Sequence, residues 1–133
     1  DLTRCNCEKS GLGNVEIIQG TAPECFVGLP APTHAFIGGS GGKLSDILEA
    51  LYNKNPGMRV VITAVTLETA AQIEGILRQM PVKDELLYQI QVNKAKKAGR
   101  YHLMQAEDPI WICRFDFDNK GYQGREGGEK DGK

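Results

Sequence analysis

The sequence predicts an α/β domain: a largely parallel sheet with helices on its faces, closed by an antiparallel pair of strands. Three observations carry this expectation. Residues 59–65, Arg59 through Val65, form an unbroken apolar, β-branched run of the kind that suits a strand buried on both faces beneath helices. Short strand patterns alternate with amphipathic helical ones along the chain, as in layered α/β sheets. Ala35-Phe36-Ile37 breaks into Gly38-Gly39-Ser40-Gly41-Gly42 just before a helical pattern opens, which reads as a strand-to-helix turn whose bare backbone can lie against an anionic ligand.

By composition alone that glycine stretch is also a flexible linker. Its flanks argue otherwise, because Leu44, Ile47, Leu48 and Leu51 follow at helical spacing and leave no room for a domain boundary.

In chain order, residues 2–10 run into Ser10-Gly11-Leu12-Gly13-Asn14, the pattern of a helix ending on glycine. Val15 to Ile18 predicts a short strand ended by Gly20. Thr21-Ala22-Pro23-Glu24 predicts a helix start with proline in its first turn, and Leu29-Pro30-Ala31-Pro32 a rigid connection into a strand at Thr33 to Ile37. A helix from Lys43 to Asn53 stops at Asn55-Pro56-Gly57. After the 59–65 strand, Thr66 caps a helix that buries Leu67, Ala70, Ile73, Leu77 and Met80 at helical spacing, with Glu68 favourably placed near its N-terminus.

Leu86, Tyr88, Ile90 and Val92 alternate with polar residues, and Trp111, Cys113 and Phe115 alternate with Ile110, Ile112 and Arg114. Two such strands without a helix between them predict an antiparallel pair joined by a long loop at 94–108. Glycine and charge then dominate, so residues 1–116 form one domain and 117–133 a disordered or appended tail.

The 133 residues carry sixteen basic and seventeen acidic side chains, a net charge of −1, so no global field recruits nucleic acid or membrane and an anionic partner must be met locally. No run reaches the roughly 18 apolar residues of a membrane span, and no basic-then-apolar leader opens the chain, which predicts a cytoplasmic protein. Cys5 and Cys7 lie too close for the usual zinc spacing and have no histidine near them, so these thiols, with Cys25 and Cys113, are expected to be reduced and metal-free.

Thr63 and Thr66 close the central strand at the end where open α/β sheets place their ligands; Thr66 serves as a cap and Thr63 is the ligand-facing candidate. Residues 93–100 hold Lys94, Lys96, Lys97 and Arg100, which is either a solvated turn or a flexible clamp for carboxylates. The interleaved aromatics of a nucleic-acid stacking platform are missing. Tyr101 and His102 follow, and an imidazole there can move a proton near neutral pH; His34, inside a strand pattern, reads as structural.

Phe36 to Gly42, Thr63 to Glu68 and Gly99 to Met104 with Asp108-Pro109, in that order, resemble the precorrin methyltransferases of cobalamin synthesis, and among them the enzymes or fused domains that methylate C15 of precorrin-6B and remove the C12 acetate carboxyl group. The resemblance covers about residues 2–115. It implies the class I S-adenosylmethionine-dependent methyltransferase fold, a Rossmann-like sheet in the spatial order 3-2-1-4-5-7-6. Val15 to Ile18 corresponds to the third strand, Thr33 to Ile37 to the fourth, Arg59 to Val65 to the fifth and the closing pair to the sixth and seventh. The family's glycine-rich turn after the first strand and its acidic residue on the second have no counterpart here. The resemblance puts both upstream of Asp1 and likens the chain to the C-terminal two-thirds of the catalytic domain, in which the third strand loses its neighbours and the fourth exposes an unpaired edge.

The resemblance further implies S-adenosylmethionine as cofactor, with Gly20, Thr21, Ala22 and Pro23 against the adenine and Gly38 and Gly39 completing the cofactor wall. Ser40, Gly41, Gly42, Thr63, Lys96, Lys97 and Arg100 would meet a tetrapyrrole substrate, and Tyr101 and His102 would be catalytic. It implies a homo-oligomer and no metal, nucleic-acid or membrane partner. The 20–23 segment equally reads as a plain turn. Two other functions stay open: a methyltransferase acting on RNA or another small molecule, and an inert binding or assembly module.

Overall fold

The computed structural model describes residues 2–120. Helix α1, Leu2–Lys9, ends as the glycine pattern predicts: Gly11 takes φ +64°, its N–H donates to Glu8 O at 3.1 Å and the Leu12 N–H donates to Cys7 O at 3.0 Å, the paired bonds of a Schellman stop. Residues 15–18 form no strand, against expectation, because among the described residues no strand lies beside them to share backbone hydrogen bonds. The predicted helix start at 21–24 is only a 3₁₀ turn, Glu24–Phe26, with Pro23 ahead of it.

The sheet comprises β1, His34–Gly38; β2, Arg59–Ala64; β3, Val82–Ile90; and β6, Ile110–Phe117, in the order β1-β2-β6-β3. β1 and β2 are parallel and β6 is antiparallel to both of its neighbours, which is the fourth-fifth-seventh-sixth order the family resemblance implies. Helix α2, Leu44–Lys54, joins β1 to β2, and α3, Leu67–Gln79, joins β2 to β3.

The core lies on one side of this sheet. Val60, Ile62 and Ala64 alternate inward with Cys113, Phe115 and Phe117, and Leu44, Leu48, Ile73 and Ile76 of the two helices complete the buried cluster. Both connections step the same way across the sheet, and right-handed crossovers therefore deliver both helices to one face. The expectation that β2 is buried on both sides is thus corrected: Val61 and Thr63 stay partly accessible, and Phe36, the register partner of Val61, is 72% exposed. Burial pushes the Cys113 thiol up to about 11, so it is packing material, and all four cysteines are free.

At the far end, a bulge between Lys83 and Leu86 puts Asp84 at φ +53°, and Arg114 donates to its carbonyl at 3.1 Å. Arg59 grips its cross-strand partner Asp116 through two bonds of 2.7 and 2.9 Å.

Two further corrections concern the second half. The predicted loop at 94–108 is a β-hairpin, β4 Asn93–Ala98 and β5 Tyr101–Ala106, because Gly99 at φ +61° makes the two-residue turn that hairpins favour. Leu67, assigned to the core by helical spacing, is 82% exposed: the capping turn at Thr66, whose hydroxyl accepts from the Thr69 N–H at 3.2 Å, lies past the end of β2. β6 runs to a fully buried Phe117, and the anticipated tail from residue 121 onward lies outside the described residues.

One-sided burial has a measurable signature. Ile62→Ala is expected to cost about 2–5 kcal/mol in urea unfolding, and its neighbour Val61→Ala no more than about half as much; equal costs would refute the sidedness.

Candidate functional site

β1, β2 and β3 point the same way, so Gly38, Ala64 and Ile90 finish at one end of the sheet, where β6 begins at Ile110. The glycine bend, the β2–α3 turn and the β4–β5 hairpin all emerge from that end. Strand direction therefore gathers most of the predicted site residues on one side of the molecule.

Gly38 pairs with Thr63, and a Cβ on Gly38 would sit 3.4 Å from Thr63 Oγ1, so these two candidates are in contact. Gly39, Gly41 and Gly42 follow at φ +73°, +57° and +86°, conformations costly for other residues, and a Cβ on any of them would meet nothing within 4 Å. The bend is thus an open backbone surface. Lys43 donates its N–H to Ser40 O at 3.0 Å, closing the turn, and no side chain caps the N-terminus of α2. Main-chain amides there are available to a carboxylate or a backbone-hugging ligand.

Gly20 to Pro23 has a different character. At Gly20 (φ +155°) a Cβ would come within 2.7 Å of Cys25 Cβ, so packing against Cys25 already requires glycine there. The Cys25 N–H donates to Thr21 O at 2.9 Å, Ala22 packs on the core, and the Ala22–Pro23 peptide is cis. What binds this turn to the glycine bend is an ion pair, Lys43 Nζ to Glu24 Oε1 at 2.8 Å. Neither residue was singled out in the sequence, and nothing in a separation of nineteen residues could have announced the contact.

The hairpin is exposed along its whole length. Register puts Lys96 opposite Leu103 and Lys97 opposite His102. Successive strand residues face opposite ways, so Lys96, Ala98, Tyr101 and Leu103 share one face and Ala95, Lys97, His102 and Met104 the other. Tyr101 and His102 cannot both face one ligand. Arg100 lies over the Tyr101 ring at 5.1 Å, and Lys94 is paired with Glu107, whereas Lys96 and Lys97 form no ion pair with the described residues.

No helix among the described residues is long and apolar enough to cross a membrane, and no group of three or more His, Cys, Asp or Glu among them is placed to hold a metal ion. For a cofactor that approaches along the main chain, the open positive-φ glycines fit; the family's glycine-rich turn and acidic ribose ligand have no equivalent among the described residues.

Residues 1–115 match the family described as the precorrin methyltransferase domain. Similar curated proteins include the probable cobalt-precorrin-6B C(15)-methyltransferase (decarboxylating) of Methanothermobacter thermautotrophicus, 33% identical over 110 residues, which is 81% of this chain and 57% of that protein. The protein of the same name from Sulfurisphaera tokodaii is 34% identical, over 84% of this chain and 58% of its own length. The chain therefore spans little more than half the length of these relatives. Among solved structures, precorrin-6y C5,15-methyltransferase from Geobacter metallireducens superimposes with a TM-score of 0.75 at 30% identity, covering 85% of this chain and 60% of that one. A SAM-dependent O-methyltransferase from Thermotoga maritima, 13% identical with a TM-score of 0.60 over 85% of this chain and 44% of its own, shares the fold.

The Lys43–Glu24 pair sets a pH dependence. The hydrogen bond from Lys43 holds the Glu24 carboxyl below its ordinary range, and the bond to Glu24 holds the Lys43 ammonium above its own. A lowered acid contributes stability that disappears as pH falls through its folded value; a raised base contributes stability that disappears as pH rises through its folded value. The stability difference between wild type and Lys43→Met should be level across neutral pH and vanish beyond the carboxylate range on one side and the lysine range on the other. Denaturation across a pH series checks this, and a difference that persists in acid would overturn it.

Proposed function

The chain belongs to the precorrin methyltransferase family, and we propose that it serves as an S-adenosylmethionine-dependent C15-methyltransferase of cobalamin synthesis. In this reading it acts in the cytoplasm on precorrin-6B or its cobalt form and releases the C12 acetate carboxyl group as CO2. The observation that carries the reading is the gathering of an open glycine backbone, Thr63 and a basic hairpin at one end of the sheet.

When bound, S-adenosylmethionine supplies the methyl group. Gly20, Thr21, Ala22 and Pro23, with Gly38 and Gly39, line the cofactor side, while Ser40, Gly41, Gly42 and Thr63 meet the macrocycle. Transfer from a sulfonium to an electron-rich carbon needs little acid or base assistance, so orientation carries most of the rate. The electron pair left by CO2 passes into the conjugated ring. Lys96 or Lys97, according to which face of the hairpin meets the substrate, together with Arg100 at the turn, binds peripheral carboxylates with charge-assisted hydrogen bonds. His102 handles the proton if the Lys97 face of the hairpin meets the substrate, and Tyr101 if the Lys96 face does.

The intact gene product, given precorrin-6B and methyl-labelled S-adenosylmethionine, should label the macrocycle and release CO2; tetrapyrrole left unlabelled while RNA is labelled would overturn the reading. Lys96→Glu with Lys97→Glu should raise KM about tenfold or more and change kcat far less. Replacing His102 with Ala or Tyr101 with Phe should lower kcat about a hundredfold in only one of the two cases.

The reading includes a homo-oligomer. Leu86, Tyr88 and Ile90 of β3 are 40%, 55% and 46% exposed on one face of the sheet, more apolar surface than single scattered residues present. Sedimentation velocity should find a species larger than one chain; a monomer at every concentration would remove this part.

A further inference from the structure

We propose that the β4–β5 hairpin is a hinged flap that folds down at the carboxyl end of the sheet, seating Tyr101 and Leu103 over the apolar step made by Val65, Leu67 and Trp111.

The ribbon of β3 and β6 does not stop at its last pair, Ile90 and Ile110. It resumes as β4 and β5, whose base is closed by the Glu107 N–H donating to Val92 O at 2.8 Å and by the Lys94–Glu107 ion pair. Between those two points Gln91 stands against Asp108 and Pro109. Two residues opposite one bend an antiparallel ribbon, and proline has no N–H to carry the ladder across. The break is a pivot, and beyond it β4 and β5 pair only with each other.

Apolar surface lies uncovered on both sides of this pivot. A two-stranded hairpin by itself is marginally stable in water, and this one is exposed along its whole length, so packing on the body would supply what its own pairing lacks. Below it, Val65 and Leu67 are 68% and 82% exposed and line, with Ala70, Trp111 and Pro109, a cavity of about 180 Å³. Pro109 belongs to the cavity wall and to the pivot at once, so a flap turning there swings over the cavity. Leu103 stands four residues from Glu107, about 13 Å along a strand, which brings it down close to the pivot and Tyr101 farther out.

The two faces of the hairpin are unequal. Tyr101 and Leu103, beside Lys96, are 61% and 59% exposed, whereas Met104, beside Lys97, is 87% exposed. Covering the Tyr101 face removes more apolar area from water, and the long Lys96 stem lets its ammonium stay in solvent. The adjoining cavity of about 220 Å³ includes Glu74, whose carboxylate is already engaged by Arg78, so closure covers no unpaired charge there. Closed in this way, the flap turns Tyr101 toward the end of the sheet and leaves His102 in water. The consequence for proton handling, Tyr101 in place of His102, rests on the methyl-transfer reading; the closure does not.

Trp111 is the chain's only tryptophan, so quenching of its emission by acrylamide reports whether the step is covered. Leu103→Glu, at an exposed position, should raise the quenching constant about twofold as the open form takes over, and Met104→Glu should leave it unchanged. Any pattern other than a rise confined to Leu103→Glu overturns the proposal. In the full chain, Leu67→Cys with Leu103→Cys should form a disulfide within one chain about tenfold faster or more than Leu67→Cys with Met104→Cys, because only one face raises the effective concentration of the two thiols. Peptide mapping separates that bond from any made by the native cysteines. Equal rates overturn the closure, and a bond found only between chains assigns the hairpin to a second copy and removes the flap. None of these readouts needs turnover: closure in a protein that transfers no methyl group keeps the flap and loses the enzyme, and turnover in a protein whose hairpin stays open does the reverse.

Discussion

The rest of the structure depends on the antiparallel pairing of β2 with β6, which sets Val60 against Phe115 and Ile62 against Cys113. In that register every second side chain of both strands turns toward α2 and α3, and Val60, Ile62, Cys113, Phe115 and Phe117 are among those most completely withdrawn from water. Slipping the pairing by one residue would send Phe115 and Cys113 to the open side and bring Arg114 and Asp116 into the core, so the register is strongly specified. The grip of Arg59 on Asp116 at the end of the same ladder reinforces it.

From that pairing the location of the candidate site follows. β1 and β3 run with β2 and β6 runs against it, so every connection leaving a parallel strand, and the one entering β6, lies at the same end. The fold supplies a rigid rim and the connections supply the chemistry, the usual division of labour in α/β sheets. The three connections differ in kind: bare backbone at residues 38–42, an apolar step at 65–67, and a charged ribbon at 93–106. A ligand that uses all three must be extended, partly anionic and partly apolar.

Much of this was legible in the sequence, for identifiable reasons. β2, α2 and the Thr66 cap were readable because a β-branched run, a 3.6-residue period and a capping hydroxyl are local signals. Sidedness was not readable: a continuous apolar run looks the same whether one face or two are covered, and only the handedness of the two crossovers decides between them. The strand expected at 15–18 failed because strand formation depends on a neighbour that local sequence does not report. The basic segment reads as a loop because its lysines mask a hairpin whose one strong signal is Gly99. The glycine bend was placed correctly, while the ion pair that anchors it joins segments nineteen residues apart and left no local trace.

That anchor ties together two stretches assigned to different ligands. Glu24 belongs to the turn beside Gly20 and Lys43 to the start of α2, and the ion pair joins them alongside the packing of Ala22 and Phe26 on the core. Under the proposed assignment of the two stretches, occupancy of one would be linked to occupancy of the other, and thermodynamics requires any such linkage to be mutual: whatever the first guest does to the affinity of the second, the second does in equal measure to the first. Because the ion pair is exposed to solvent, salt screens it, and any coupling carried by it would be weakest in concentrated salt.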